Sequence, residues 1–154
     1  MGKQLAARWG VEFRDTDVDI ESVTGATISD LFVQQGEDHF RSLEREAVTR
    51  GLAEHSGVLA VGGGAVLSDA VRSELMGQRV VHLDVGLAAA MQRLQMNRSR
   101  PLLVGNVRGR WQQLADERRP HYLEVATVTV STDGRTPAQV VDAVVRALEE
   151  EVEP

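Results

Sequence analysis

"GVLAVGGGAV", residues 57–66, is the stretch from which the rest of the chain can be read. Val58 to Val61 form an apolar run of strand length, bounded by glycine on both sides. The run feeds directly into Gly62, Gly63 and Gly64, where the backbone lacks Cβ atoms and can approach a neighbouring group closely. Asp69 follows at a helix N-cap position, and a short helix is expected through Leu75.

Outward from this unit, the same alternation repeats. "RVVHLDV" (79–85) is a second apolar strand, followed by a helical pattern from Gly86 to Met96. Upstream, Ile28, Leu31, Phe32, Phe40, Leu43 and Val48 keep roughly helical spacing within residues 20–52, with breaks at Gly25 and Gly36. "VEF" (11–13) reads as a short strand behind a helix, Leu5 to Trp9, that closes at Gly10. Downstream, "NRSRPLLVGNVRGR" (97–110) is a basic segment with Pro and Gly and reads as a mobile loop. Trp111 to Leu123 is helical with an interruption near Pro120, "ATVTVST" (126–132) is the last strand, and Pro137 opens a final helix. Its tail, "EEEVEP", reads as a frayed helix end. Short apolar strands alternating with helices predict an α/β fold: a parallel sheet with helices on both faces, α/β/α in three layers, within one domain spanning 1–154.

Composition narrows the function classes. Aromatic residues are 4%, so the core must be built from Val, Leu and Ala. There is no cysteine, which excludes disulfides, thiolate metal sites and cysteine nucleophiles. A net charge of −6 opposes non-specific binding to nucleic acid, which depends on neutralising phosphates. The apolar runs fall short of the ~20 residues that span a bilayer, and the first residues lack a basic-then-apolar leader pattern. A soluble, cytoplasmic monomer is the expectation, with no nucleic-acid or membrane partner.

Ligands of such sheets bind at the carboxyl ends of the strands. Three polar features fall there: Asp15 and Asp17, the triple glycine, and the arginine-rich span from Arg93 to Arg119. The two aspartates suit Mg²⁺ and a substrate proton, or else they cap the helix that follows. The glycines offer N–H donors to a ligand, or make a plain tight turn. Arginines suit bidentate capture of carboxylate or phosphate, and a basic loop over a sheet edge is what a phosphoryl-transfer lid requires. His39, His55, His82 and His121 have no metal-ligand spacing.

These motifs, in this order, resemble the shikimate kinases, small P-loop kinases of the nucleoside-monophosphate-kinase fold. The resemblance runs from Met1 to about Leu148. It implies transfer of phosphate from MgATP to the 3-hydroxyl of shikimate, on the route to chorismate and the aromatic amino acids. "DTD" resembles the family's Asp-x-Asp: Asp15 would help hold Mg²⁺ through water, and Asp17 would bind the shikimate hydroxyls and take the proton from the attacking oxygen. "GEDHFRSLE" (36–44) resembles Gly-Glu-x-x-Phe-Arg-x-x-Glu, which places Arg41 on the shikimate carboxylate with Phe32, Phe40 and Glu44 around it. Gly63 and Gly64 would be backbone contacts to shikimate. "SRPLL" (99–103) resembles the opening of the lid, with Arg100 reaching the ATP phosphates. Arg93 and Arg135, the latter in "STDGRTP", fall at the adenine-side positions. "RRPHY" (118–122) fits Arg-x-Pro-x-Tyr and makes Arg118 the second clamp on the carboxylate.

The resemblance also carries a departure. The family's phosphate-cradling Gly-x-x-x-x-Gly-Lys-Ser/Thr loop precedes a Thr-Val/Ile-Gly-Arg/Lys-x-Leu-Ala continuation, and "MGKQLAARWG" matches the continuation, with Met1 on the Val/Ile position. Gly2-Lys3 is therefore not a phosphate-loop Gly-Lys. The expectation is that the first, central strand and the loop lie upstream of Met1. The chain as written would then have little or no kinase activity, and its sheet strands would lack backbone partners. The other readings are a non-catalytic shikimate-binding remnant and a related small-molecule kinase such as gluconate kinase.

Overall fold

The computed structural model of the chain describes residues 1–96 and 106–152. The described residues form two compact units, Gly2–Glu74 and Leu75 onward, each with its own pair of parallel strands.

The first unit opens with α1 (Gly2–Trp9), which leads into β1 (Phe13–Asp15). The helical pattern of residues 20–52 resolves into α2 (Thr16–Thr24), α3 (Ile28–Gln35) and α4 (Glu37–Glu54). The two breaks fall at the expected glycines, and for one reason. Gly25 closes α2 at φ 68° and Gly36 separates α3 from α4 at φ 82°, both in the left-handed region that side chains with a Cβ avoid. Ile20, Leu31, Phe40 and Ala47 of these helices pack into a buried cluster, with Ala26, Ile28, Phe32 and Leu43 against it. β2 (Val58–Ala60) pairs in parallel with β1, Asp15 standing opposite Ala60. That register brings the acidic "DTD" and the glycine run to the same carboxyl end of the pair. Arg14 ties β1 to α2 and α4 through Asp19 (2.7 Å) and Glu54 (3.0 Å), and those two hydrogen bonds raise its pKa above the usual arginine value.

A single 3-10 turn (Ala65–Leu67) leads from the glycines to α5 (Asp69–Leu75). Its capping differs from expectation: the Ser68 hydroxyl, one residue earlier, accepts from the Val71 N–H at 3.4 Å.

In the second unit, β3 (Val81–Asp84) pairs in parallel with β4 (Val128–Ser131), with α6 (Leu87–Met96), α7 (Val107–Val125) and α8 (Pro137–Val152) around them. Its buried hydrophobic residues are aliphatic, among them Val125, Val130, Val140, Val141, Val144 and Leu148. α7 starts four residues before the expected Trp111, because the Asn106 side chain accepts from the Gly109 N–H and caps it there. Pro120 lies inside α7 without ending it. Much of the predicted lid, including Arg98 and Arg100, lies outside the described residues; its last four positions, 107–110, belong to α7.

Candidate active site

Within the first unit, three sequence motifs converge on one point. Gly62 lies against two carboxylates from different helices: a methyl group there would stand 3.0 Å from Glu44 Oε1 and 3.4 Å from Asp17 Oδ1. Two positions on, a methyl at Gly64 would collide with the Arg41 guanidinium. None of Gly62, Gly63 and Gly64 has positive φ. Gly62 and Gly64 are therefore glycine for close approach of side chains, not for a left-handed turn. Its backbone is held by Ala65 N–H to Gly62 O (3.1 Å) and Leu67 N–H to Gly64 O (3.1 Å).

Arg41 is the centre of this cluster. Its Nη1 donates to Glu44, whose side chain is 2% exposed, and its Nη2 donates to Glu37 at 3.4 Å. The guanidinium carbon lies 5.9 Å from the Phe32 ring and 5.4 Å from the Phe40 ring, two rings tilted at 38° with centroids 4.6 Å apart. Two aromatic faces and one buried carboxylate fix the plane of the cation. Nε of Arg41 is buried and has no hydrogen-bond partner among the described residues. A guanidinium so held retains donors for a planar anion such as a carboxylate.

The aspartates divide their work. Asp15 is the N-cap of α2: one of its oxygens accepts from the Asp17 N–H at 2.9 Å, so the capping role is realised. Its other oxygen is left for water or metal. Asp17 lies in the first turn of α2, where a negative charge is favoured. Between them Thr16 is fully buried, and its hydroxyl has no partner among the described residues.

In the second unit two of the expected site residues, Arg93 and Arg135, meet the end of β4. Arg93 on α6 donates to Thr132 Oγ1 and Thr132 O, both at 3.0 Å, and Arg135 donates to Ser131 O at 2.9 Å. Thr132 in turn holds Asp84 O through its N–H (2.8 Å) and its hydroxyl (3.0 Å). The Asp133 carboxylate accepts from the Gly86 N–H. Arg118 on α7 has its Nε buried without a partner among the described residues, while Arg119 approaches Asp84 at 3.8 Å. His82 stacks on Tyr122 with ring centroids 4.6 Å apart; burial, its largest influence, lowers its pKa below the usual histidine value.

Two residues escaped the reading of the sequence. Glu37 sits inside the quoted "GEDHFRSLE" and four residues before Arg41, a spacing that makes helix pairs. Gly62 was the first of the three glycines, and nothing in a glycine run distinguishes which member meets a side chain. Among the described residues, no group of three or more His, Cys, Asp or Glu could enclose a metal. No helix among them is long and apolar enough to cross a membrane.

Comparison with known proteins gives one answer. The family model described as shikimate kinase matches residues 1–149. A shikimate kinase of Salinispora tropica is 54% identical over 140 residues, covering 91% of this chain and 84% of the relative. One of Streptomyces coelicolor is 49% identical over 149 residues, covering 97% and 87%. The solved shikimate kinase of Acinetobacter baumannii, in complex with shikimate, is 32% identical with a TM-score of 0.93, covering 99% of this chain and 87% of that one.

Proposed function

The chain belongs to the shikimate kinase family, and on that premise we propose that its site serves transfer of the γ-phosphoryl group of ATP to the 3-hydroxyl of shikimate, with little or no turnover by the present residues, which include no Gly-x-x-x-x-Gly-Lys-Ser/Thr loop. Its α/β fold with parallel strands is of P-loop kinase type, and the family's activity is that of a transferase in aromatic amino-acid biosynthesis. The observation that carries the proposal is the meeting of Asp17, Arg41, Glu44 and the glycine run at one strand end.

In this reading Arg41 takes the shikimate carboxylate, with Phe32, Phe40 and Glu44 holding its plane. Gly63 and Gly64 contact the substrate through their backbone, and Arg118 is a second carboxylate-binding arginine. Asp17 accepts the proton of the 3-hydroxyl as that oxygen forms its bond to the γ-phosphorus and the bond to the departing ADP oxygen breaks. Arg93 and Arg135 lie on the adenine side, and Arg100 meets the phosphates. Mg²⁺ typically keeps several waters and takes one or two carboxylates together with substrate phosphates. The oxygen of Asp15 not used in the cap suits that role, through water. When bound, the ion neutralises charge on the transferring phosphoryl group. The protein acts as a cytoplasmic monomer without nucleic-acid or membrane partners.

The test is ADP release from ATP by the purified chain, measured with and without shikimate. Turnover that requires shikimate supports the assignment. Saturable shikimate binding without turnover is expected of residues that lack the phosphate loop; if turnover is still missing once a Gly-x-x-x-x-Gly-Lys-Ser/Thr segment is joined ahead of Met1, the transfer step is withdrawn and the binding step is left. Neither binding nor turnover would overturn both.

A further inference from the structure

Arg41 has two carboxylate partners on its own helix, and they are not equivalent. Glu44 is buried, lies against Gly62 and is locked in place. Glu37 is in the first turn of α4, its side chain is 47% exposed, and its contact with Nη2 is 3.4 Å, at the outer limit of a hydrogen bond. An exposed pair of this kind is weak and is screened by salt. A planar carboxylate arriving with two parallel hydrogen bonds is a better partner for the same guanidinium.

The surroundings sharpen the contrast. Arg41 lines an open cavity of about 550 Å³ together with Glu37, Asp38, Glu44, Arg45 and Asp69. Of the four carboxylates there Asp69 is ion-paired with Arg72, which leaves three against the guanidiniums of Arg41 and Arg45, a surplus of one negative charge for an incoming anion.

We propose that Glu37 is a displaceable counter-ion: it occupies Arg41 in the substrate-free protein and must release it when the substrate carboxylate binds. Glu37 thereby sets the affinity for shikimate without taking part in the transfer. This rests on the reading that Arg41 binds the substrate carboxylate.

The experiment is calorimetric titration of the full chain with shikimate, comparing the parent with Glu37→Gln, Asp38→Asn and Arg41→Lys. Glu37→Gln is expected to tighten shikimate binding about two- to five-fold at low salt. The gain should shrink toward none at about 0.5 M salt. Asp38→Asn removes the same charge from the same helix turn but has no hydrogen bond to Arg41, so it should gain distinctly less. A purely structural role at the helix start would move the two variants alike and would tighten neither. If Arg41→Lys weakens binding while Glu37→Gln leaves it unchanged or weaker, the counter-ion role is wrong and the carboxylate reading survives. If Arg41→Lys binds as well as the parent, or the parent does not bind shikimate, the carboxylate reading fails and takes the counter-ion role with it.

Discussion

The two units hold their functional side chains by different means. In residues 2–74, side chains hold side chains: Arg41 is fixed by Glu44 and by the rings of Phe32 and Phe40, with Glu37 at its outer edge. From residue 75 onward, the end of a strand holds side chains, mostly through backbone: Arg93 is tied to the carbonyl and also the hydroxyl of Thr132, and Arg135 to the carbonyl of Ser131. The first arrangement places a buried anion and a half-buried cation together, so removing Glu44 takes from Arg41 its main counter-ion. In the second, the partners are groups that the strand end presents in any case, and their loss leaves no buried charge behind.

The sharpest way to break this comparison is Glu44→Ala. Glu44 is 1% exposed and its loss leaves the Arg41 guanidinium without its main counter-ion. Removing one partner of a fully buried pair costs about 3–5 kcal/mol. Because Arg41 is 21% exposed, solvent screening lowers the expectation to about 2–3 kcal/mol. Urea denaturation measures it, and a loss below about 0.5 kcal/mol would mean that the pair is not structural.

A smaller effect is expected from Arg93→Ala. It removes two hydrogen bonds of an exposed arginine, and solvent screening holds their joint contribution to about 1 kcal/mol or less. Thr132 keeps its own bonds to Asp84 O, so the end of β4 should stay in place. Side-by-side denaturation curves should rank Glu44→Ala well above Arg93→Ala. The reverse order would undo the distinction between the two units.

Much of the site could be read before the fold was seen, because its parts are fixed by spacing within single elements. Arg41 and Glu44 are i, i+3 on α4, and the register of β1 against β2 places Asp15 near the glycines as any parallel pair with those strand ends would. Element ends were less legible. "VEF" points to residues 11–13, yet the ladder runs from Phe13 to Asp15, since pairing follows what β2 offers and Val11 is 41% exposed. The start of α7 was hidden by a segment rich in Gly, Pro and Arg, whose composition suggests a loop while Asn106 supplies a cap. The glycine run was read as a turn or a ligand cradle. Its use as room for Arg41, Glu44 and Asp17 depends on packing between elements, which no local pattern encodes.

That use of glycine is the centre of the account, and Gly64→Ala tests it most directly. The added methyl collides with the guanidinium that Glu44 holds, so the fold should survive with a stability loss of about 1–3 kcal/mol, no larger than that of Glu44→Ala. The guanidinium must leave its place, and shikimate affinity measured by calorimetry should fall about ten-fold or more, equivalent to about 1.4 kcal/mol. A Gly64→Ala chain that binds shikimate as tightly as the parent would contradict the claim that the glycine run exists to seat Arg41 for the substrate.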